Sequence, residues 1–146
     1  MAVREKDNFG SEVAKILPLI LREVSKKQMT LFSKGTLSVP HVVILDLLKE
    51  KTSCKMGELA KMLSLTMSAV TGLVDKMVGL GLVKRERSRA DRRVVRVSIL
   101  KKGKQTVNRV EEMRRNMSDE LFSVFTPGEK KEYLRLLKKV YRGIKR

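Results

Sequence analysis

Between Val83 and Ile99 the sequence reads VKRERSRADRRVVRVSI, and the groups there that could do chemistry are cations: Lys84, Arg85, Arg87, Arg89, Arg92, Arg93 and Arg96, with Asp91 among them. Cations at this density bind anions, and a guanidinium fork fits phosphate oxygens two at a time. Upstream, Met67, Ser68, Ala69, Thr71 and Gly72 place hydroxyls beside small and apolar groups. A hydroxyl can give or accept a hydrogen bond at a base edge, and a methyl-bearing side chain can meet a thymine methyl. Lys76, one turn farther on, suits a phosphate.

The other chemistries are poorly supplied. One cysteine, Cys54, and one histidine, His41, leave no disulfide framework and no zinc cluster in 146 residues. Gly79 and Gly81 sit at a helix end rather than in a phosphate-cradling loop, and no nucleophile, base and orienter form a set. Neither an enzyme nor a cofactor or metal site is expected. A formal net charge of +17 carries a self-repulsion that implies a polyanionic partner: DNA, RNA or an anionic membrane surface. The opening MAVREKDNFG is charged where a secretory signal would be apolar, and runs such as VVIL before Asp46 are too short to span a bilayer. The expectation is a soluble, cytoplasmic chain with no membrane role. Cys54, although next to Lys55, reads as a half-buried structural thiol.

The elements that must position these groups follow from periodicity. Apolar residues from Phe9 to Phe32 recur at three- and four-residue steps, giving a helix over 7–33 with a wide stripe; Pro18 inside it predicts a kink or a junction of two helices. Ser38 can cap a second helix that has Pro40 in its first turn and ends near Lys51, with His41 an ordinary first-turn residue. A short helix over 56–63, the turn Ser64-Leu65-Thr66, and a helix capped by Thr66 and running to Leu80 make a helix-turn-helix candidate, with Gly81 at the left-handed position beyond. The period then changes, and two strands, 82–87 and 94–99, enclose a basic tip. A long stripe from Val107 to Phe125 and a last helix entered through the capping box Thr126-Pro127-Gly128-Glu129 complete the chain.

Helix, turn, helix and basic hairpin, in that order, describe a winged helix-turn-helix. The second helix would enter the DNA major groove through Met67, Ser68, Ala69, Thr71 and Gly72, with Lys76 on a phosphate. Arg87, Arg89, Arg92 and Arg93 of the wing would reach the neighbouring minor groove, whose negative potential attracts arginine. Asp91 would orient one wing arginine, Arg93 or Arg89, before DNA arrives. The terminal stripes are wider than one neighbouring helix can cover, so a homodimer is expected. A two-fold protein matches a pseudo-palindromic duplex, its recognition helices about 34 Å apart. The rival is a sequence-tolerant, chromatin-like or RNA-directed binder driven by charge. Two tyrosines and four phenylalanines, mostly within apolar stripes, supply few stacking platforms for single strands, which favours duplex DNA.

ELAKMLSLTMSAVTGLVDKMVGLGLVKR followed by DRRVVRVSILKKG resembles the MarR family of bacterial and archaeal transcription regulators. The family's wing pattern of aspartate, any residue and arginine, ending in leucine-threonine-any-any-glycine, falls on Asp91, Arg93, Ile99 and Gly103. Leu100 stands where the family has the threonine that caps the next helix. Gly72 stands where a longer polar or basic side chain is common, at a cost of about 1 kcal/mol in helix propensity relative to alanine. The resemblance implies a homodimer on a pseudo-palindromic operator, regulated in many members by small aromatic ligands or by cysteine oxidation. The reading is then a mainly α chain with a small two-stranded β-wing: dimerisation helix over 1–37, winged helix-turn-helix over 38–100 and dimerisation helices over 101–146. Its expected function is that of a transcriptional repressor.

Overall fold

The structure, a computed structural model, describes residues 8–32 and 37–145. Along them run α1 (Phe9–Phe32), α2 (Val39–Lys51), β1 (Ser53–Lys55), α3 (Met56–Leu63), α4 (Met67–Gly79), β2 (Val83–Arg87), β3 (Val95–Ile99), α5 (Lys101–Leu121) and α6 (Pro127–Ile144). The chain divides into two units between Val42 and Val43.

In the first unit, α1 is a single helix that continues through Pro18, so no junction of two helices interrupts it. The proline removes one backbone hydrogen bond, a loss a helix of 24 residues absorbs. Phe9, Ile16, Leu17 and Ile20 along it are exposed. At the start of α2, the Ser38 N–H donates to His41 Nδ1 over 3.0 Å, and Ser38 Oγ lies 2.7 Å from the same nitrogen. His41 is thus a buried partner in the helix cap, a more specific role than the sequence assigns it.

The second unit has a core made by the apolar faces of α2 to α5 and of the sheet, to which α6 adds no buried side chain. Ile44, Leu45 and Leu48 of α2 are buried, as are Met56 and Leu59 of α3, Val70, Val74 and Met77 of α4, Val97 and Ile99 of β3, and Val107 and Val110 of α5. The three-or-four-residue spacing on the helices and the two-residue spacing on β3 are the periods that turn one face inward. The sheet has the order β1-β3-β2, antiparallel throughout, with Val83 opposite Ile99, Arg87 opposite Val95, and Cys54 opposite Val97. The hairpin is as expected; β1 is an addition. Its three residues are too few to show a period, yet they occupy the edge of β3 that the hairpin leaves open.

The root of the hairpin is crowded. Gly81 adopts φ +70°, the left-handed turn that releases the chain from α4. The Leu82 carbonyl then accepts a hydrogen bond from the Leu100 N–H over 2.9 Å. A Cβ at position 103 would lie 2.2 Å from that same carbonyl oxygen and 2.8 Å from Ile99 Cγ1. Only glycine allows α5 to pass so close. Lys102 adds a bond from Nζ to the Leu80 carbonyl over 2.8 Å, satisfying an acceptor at the end of α4. Leu100 provides no side-chain cap for α5, so this tertiary contact holds the first turn in place of a threonine.

α5 ends at Leu121, earlier than the apolar stripe implies, and Phe122 and Phe125 lie beyond it against Tyr133 of α6, with ring centroids 5.1–5.5 Å apart. The expected capping box opens α6: Thr126 Oγ1 accepts from the Glu129 N–H, and the Glu129 carboxylate accepts from the Thr126 N–H over 2.7 Å. That bond and one from the Thr126 hydroxyl hold the Glu129 carboxyl below its usual pKa. Leu134, Leu137, Val140, Tyr141 and Ile144 form a ridge along α6 that remains exposed, up to 78% at Ile144.

Replacing Gly103 by alanine is expected to destabilise the protein by about 2–3 kcal/mol, because the methyl group must displace backbone rather than a flexible side chain. Urea unfolding monitored by circular dichroism measures it; an unchanged midpoint would contradict the close approach.

Candidate nucleic-acid interface

The two helices of the helix-turn-helix are set by their caps. The Glu58 carboxylate accepts from the Lys55 N–H over 3.0 Å at the start of α3, a bond that holds the carboxyl below its ordinary pKa. Ser64, at φ 53°, ends α3 in the left-handed region, and its N–H turns back to the carbonyls of Ala60 and Lys61. Thr66 Oγ1 then accepts from the Ala69 N–H over 3.2 Å and opens α4. Because Val70, Val74 and Met77 face the core, the opposite side of α4 presents Met67, Ser68, Ala69, Gly72 and Lys76 to solvent, with Thr71 half-buried beside them. The Thr71 hydroxyl donates to the Met67 carbonyl over 2.8 Å, so what it offers outward is an acceptor. A Cβ on Gly72 would meet nothing within 4 Å.

The wing carries the second group. At its tip the Ser88 N–H donates to the Val94 carbonyl and the Val94 N–H to the Asp91 carbonyl. The Asp91 carboxylate accepts from the Arg93 backbone N–H over 3.0 Å. This corrects the sequence-based expectation of a carboxylate holding a guanidinium: Asp91 orients Arg93 through its main chain, as short acidic side chains do in turns. Arg87, Arg89, Arg92 and Arg93 are all exposed. None of the four is engaged in an ion pair among the described residues.

Arg85, which the sequence offers only as one cation among several, makes a specific contact in the structure. Its Nη1 lies 2.6 Å from Asp75 Oδ1, tying the exposed face of α4 to β2. The signal, an acidic residue on a recognition helix and an arginine ten positions later, is visible only once α4 and β2 are known to be adjacent. Between this tie and the helix starts lies a groove of about 780 Å³, lined by Lys55, Met67, Thr71, Arg85, Arg87 and Arg93 among others. Of the two groups that the sequence pointed to, Met67 and Thr71 of α4 and Arg87 and Arg93 of the wing border this groove, whose lining also includes Glu58 and Glu86; Ser68, Ala69, Gly72, Lys76, Arg89 and Arg92 lie outside it.

A model of the MarR family matches residues 37–95, from the loop before α2 to the start of β3. The BldR transcriptional regulator of Sulfolobus solfataricus has a solved structure that is 32% identical, with 94% of this chain and 98% of that one covered and a TM-score of 0.68. The chain belongs to the MarR family. A MarR family protein from Bacillus stearothermophilus superposes with a TM-score of 0.84 at 27% identity, over 96% of this chain and 98% of that one. Among curated sequences, the HTH-type transcriptional regulator YsmB of Bacillus subtilis (strain 168) is 29% identical over 93% of each chain. The stretch that the family model matches contains α2 to β2, including the helix-turn-helix of a DNA-binding transcription regulator. At three of the four positions singled out by the resemblance the structure supplies a physical reason: the Asp91 carboxylate binds the Arg93 N–H at the tip, Ile99 is buried, and Gly103 lets α5 reach the hairpin root.

Among the described residues no three histidine, cysteine or acidic side chains cluster to hold a metal, and no helix is long and apolar enough to cross a membrane. Cys54 is fully buried on β1, and burial pushes its thiol pKa up, against the pull of Lys51. A thiol kept protonated and out of solvent is a poor nucleophile. A disulfide reagent such as DTNB at neutral pH is expected to leave Cys54 untouched in the native protein and to modify it at once in denaturant; rapid reaction of the folded chain would show that β1 does not lie where described.

Proposed function

We propose that this MarR-family protein is a homodimeric repressor that reads a pseudo-palindromic operator, with α4 of each protomer in the major groove and the wing in the adjoining minor groove. The observation that carries the reading is the groove shared by α4 and the hairpin: Met67 and Thr71 on one side and Arg87 and Arg93, which make no ion pair among the described residues, on the other, with Arg85 in its lining tied to Asp75 of α4. Unpaired exposed guanidinium groups are free to exchange water and counterions for phosphate or groove contacts.

The dimer is supported by the outer helices. The α1 face with Ile16, Leu17 and Ile20 and the α6 face with Leu137, Val140 and Ile144 are each exposed in the single chain, and rows of large apolar side chains in water mark surfaces that a partner covers. Residues 1–37 and 101–146 then serve pairing, and 38–100 serve DNA. Occupying an operator excludes other proteins from it, and repression follows. Release by a small aromatic effector requires that the effector bind the DNA-competent and incompetent arrangements with different affinities.

Titration of selected and scrambled duplexes over a range of salt tests the reading. Affinity for both is expected to fall steeply with salt, while the ratio between them remains large; a ratio near unity would instead make the protein a sequence-tolerant binder. Arg93→Ala is expected to cost roughly 1–3 kcal/mol of operator binding. Full affinity in a folded, dimeric variant would remove the wing from the contact.

A further inference from the structure

Two ion pairs join α2 to α5, and none of their four residues lines the groove between α4 and the wing. Lys49 Nζ lies 2.7 Å from both carboxylate oxygens of Glu111, and Arg114 Nη1 lies 3.0 Å from Asp46 Oδ2. On each helix the partners are three residues apart and so share a face. The polarity is crossed: α2 presents acid then base, and α5 presents acid then base, running the other way.

Their location is specific. Gly103, Val107 and Val110 mark the part of α5 buried in the winged lobe, and beyond them Met113, Met117 and Leu121 are only half-buried. Glu111 and Arg114 stand at that boundary, where α5 leaves the lobe and continues toward the aromatic cluster of Phe122, Phe125 and Tyr133. Half-exposed pairs of this kind add little to stability, but they discriminate between registers. Sliding α5 by three residues in one direction sets Asp46 against Glu111; sliding it in the other sets Lys49 against Arg114. Either one-turn slip therefore replaces two attractive pairs with a like-charge pair, and only the observed register satisfies all four side chains.

We propose that Asp46, Lys49, Glu111 and Arg114 are positioning residues: a register lock that fixes the winged lobe on α5, and with it the direction in which α4 faces relative to α6. This rests on the dimeric reading only for its consequence, the spacing of the two recognition helices; the lock itself is a property of one protomer. It requires no contact between these residues and DNA.

The test is a distance within one chain. Spin labels placed at Ser68→Cys on α4 and Lys138→Cys on α6, with the labelled protein diluted in an excess of unlabelled protein, report that distance by double electron–electron resonance, while Cys54 stays buried and unlabelled. The wild-type background is expected to give one narrow distribution. Arg114→Glu, which faces Asp46 with a like charge, is expected to broaden or shift it, and the exchanged pair Arg114→Glu with Asp46→Lys is expected to restore it. The milder Arg114→Gln, which leaves no repulsion, gives an intermediate width and serves if the reversed variant fails to fold. Distributions identical to wild type in the folded single variants would overturn the lock, as would a failure of the exchanged pair to restore what Arg114→Glu disturbs. Whether the protein dimerises or selects an operator does not enter this measurement, so loss of that reading would leave its outcome interpretable.

Discussion

The carbonyl of Leu82 is the point on which the rest of the structure turns. It accepts the Leu100 N–H that closes the base of the hairpin, and it sits where a side chain on residue 103 would have to be. The end of α4, the start of β2, the end of β3 and the first turn of α5 therefore meet at one peptide group. A backbone acceptor this enclosed must be paired, and pairing it fixes the wing against the recognition helix. Gly81 supplies the turn that brings the carbonyl there, and Gly103 the absence of bulk that lets α5 approach.

From that anchor the polar surface divides into groups that are held and groups that are left free. Arg85 is held by Asp75, and Arg93 has its main chain held by Asp91, so both ends of the hairpin have a defined direction. Arg87, Arg89 and Arg92 remain solvated at the tip. The paired strands set where this positive charge is presented, and the exposed side chains extend it from the end of the hairpin. The net charge of +17 adds attraction that acts over about 8–10 Å at ordinary ionic strength, which accelerates encounter without selecting a site.

Much of this was legible in the sequence because the relevant signals are local. Thr66, Gly81 and the Thr126–Glu129 box mark helix ends through bonds made within four residues, and the change from helical to alternating period after Leu82 marks the hairpin. The features that were not legible depend on distant partners. β1 is recognisable only by what lies beside it, Asp75 and Arg85 become a pair only when α4 packs against β2, and His41 looks unremarkable until the Ser38 N–H is found on its ring. Asp91 was expected to hold the guanidinium of Arg93 or Arg89; its carboxylate instead accepts from the Arg93 backbone N–H, which a short side chain in a tight turn reaches more readily than a long guanidinium two residues away. The early end of α5 at Leu121 reflects the aromatic cluster that follows, which continues the apolar pattern without continuing the helix.

The central claim is that α4 and the wing act as one rigid reading head, presented twice. Footprinting of the full chain on a duplex it selects tests this most directly, with methylation interference reporting major-groove guanines and hydroxyl radicals reporting the minor groove. The account predicts two major-groove windows about one helical turn apart, each flanked on its outer side by a protected minor-groove segment. Continuous, unphased protection along the duplex, or protection confined to one groove, would contradict it.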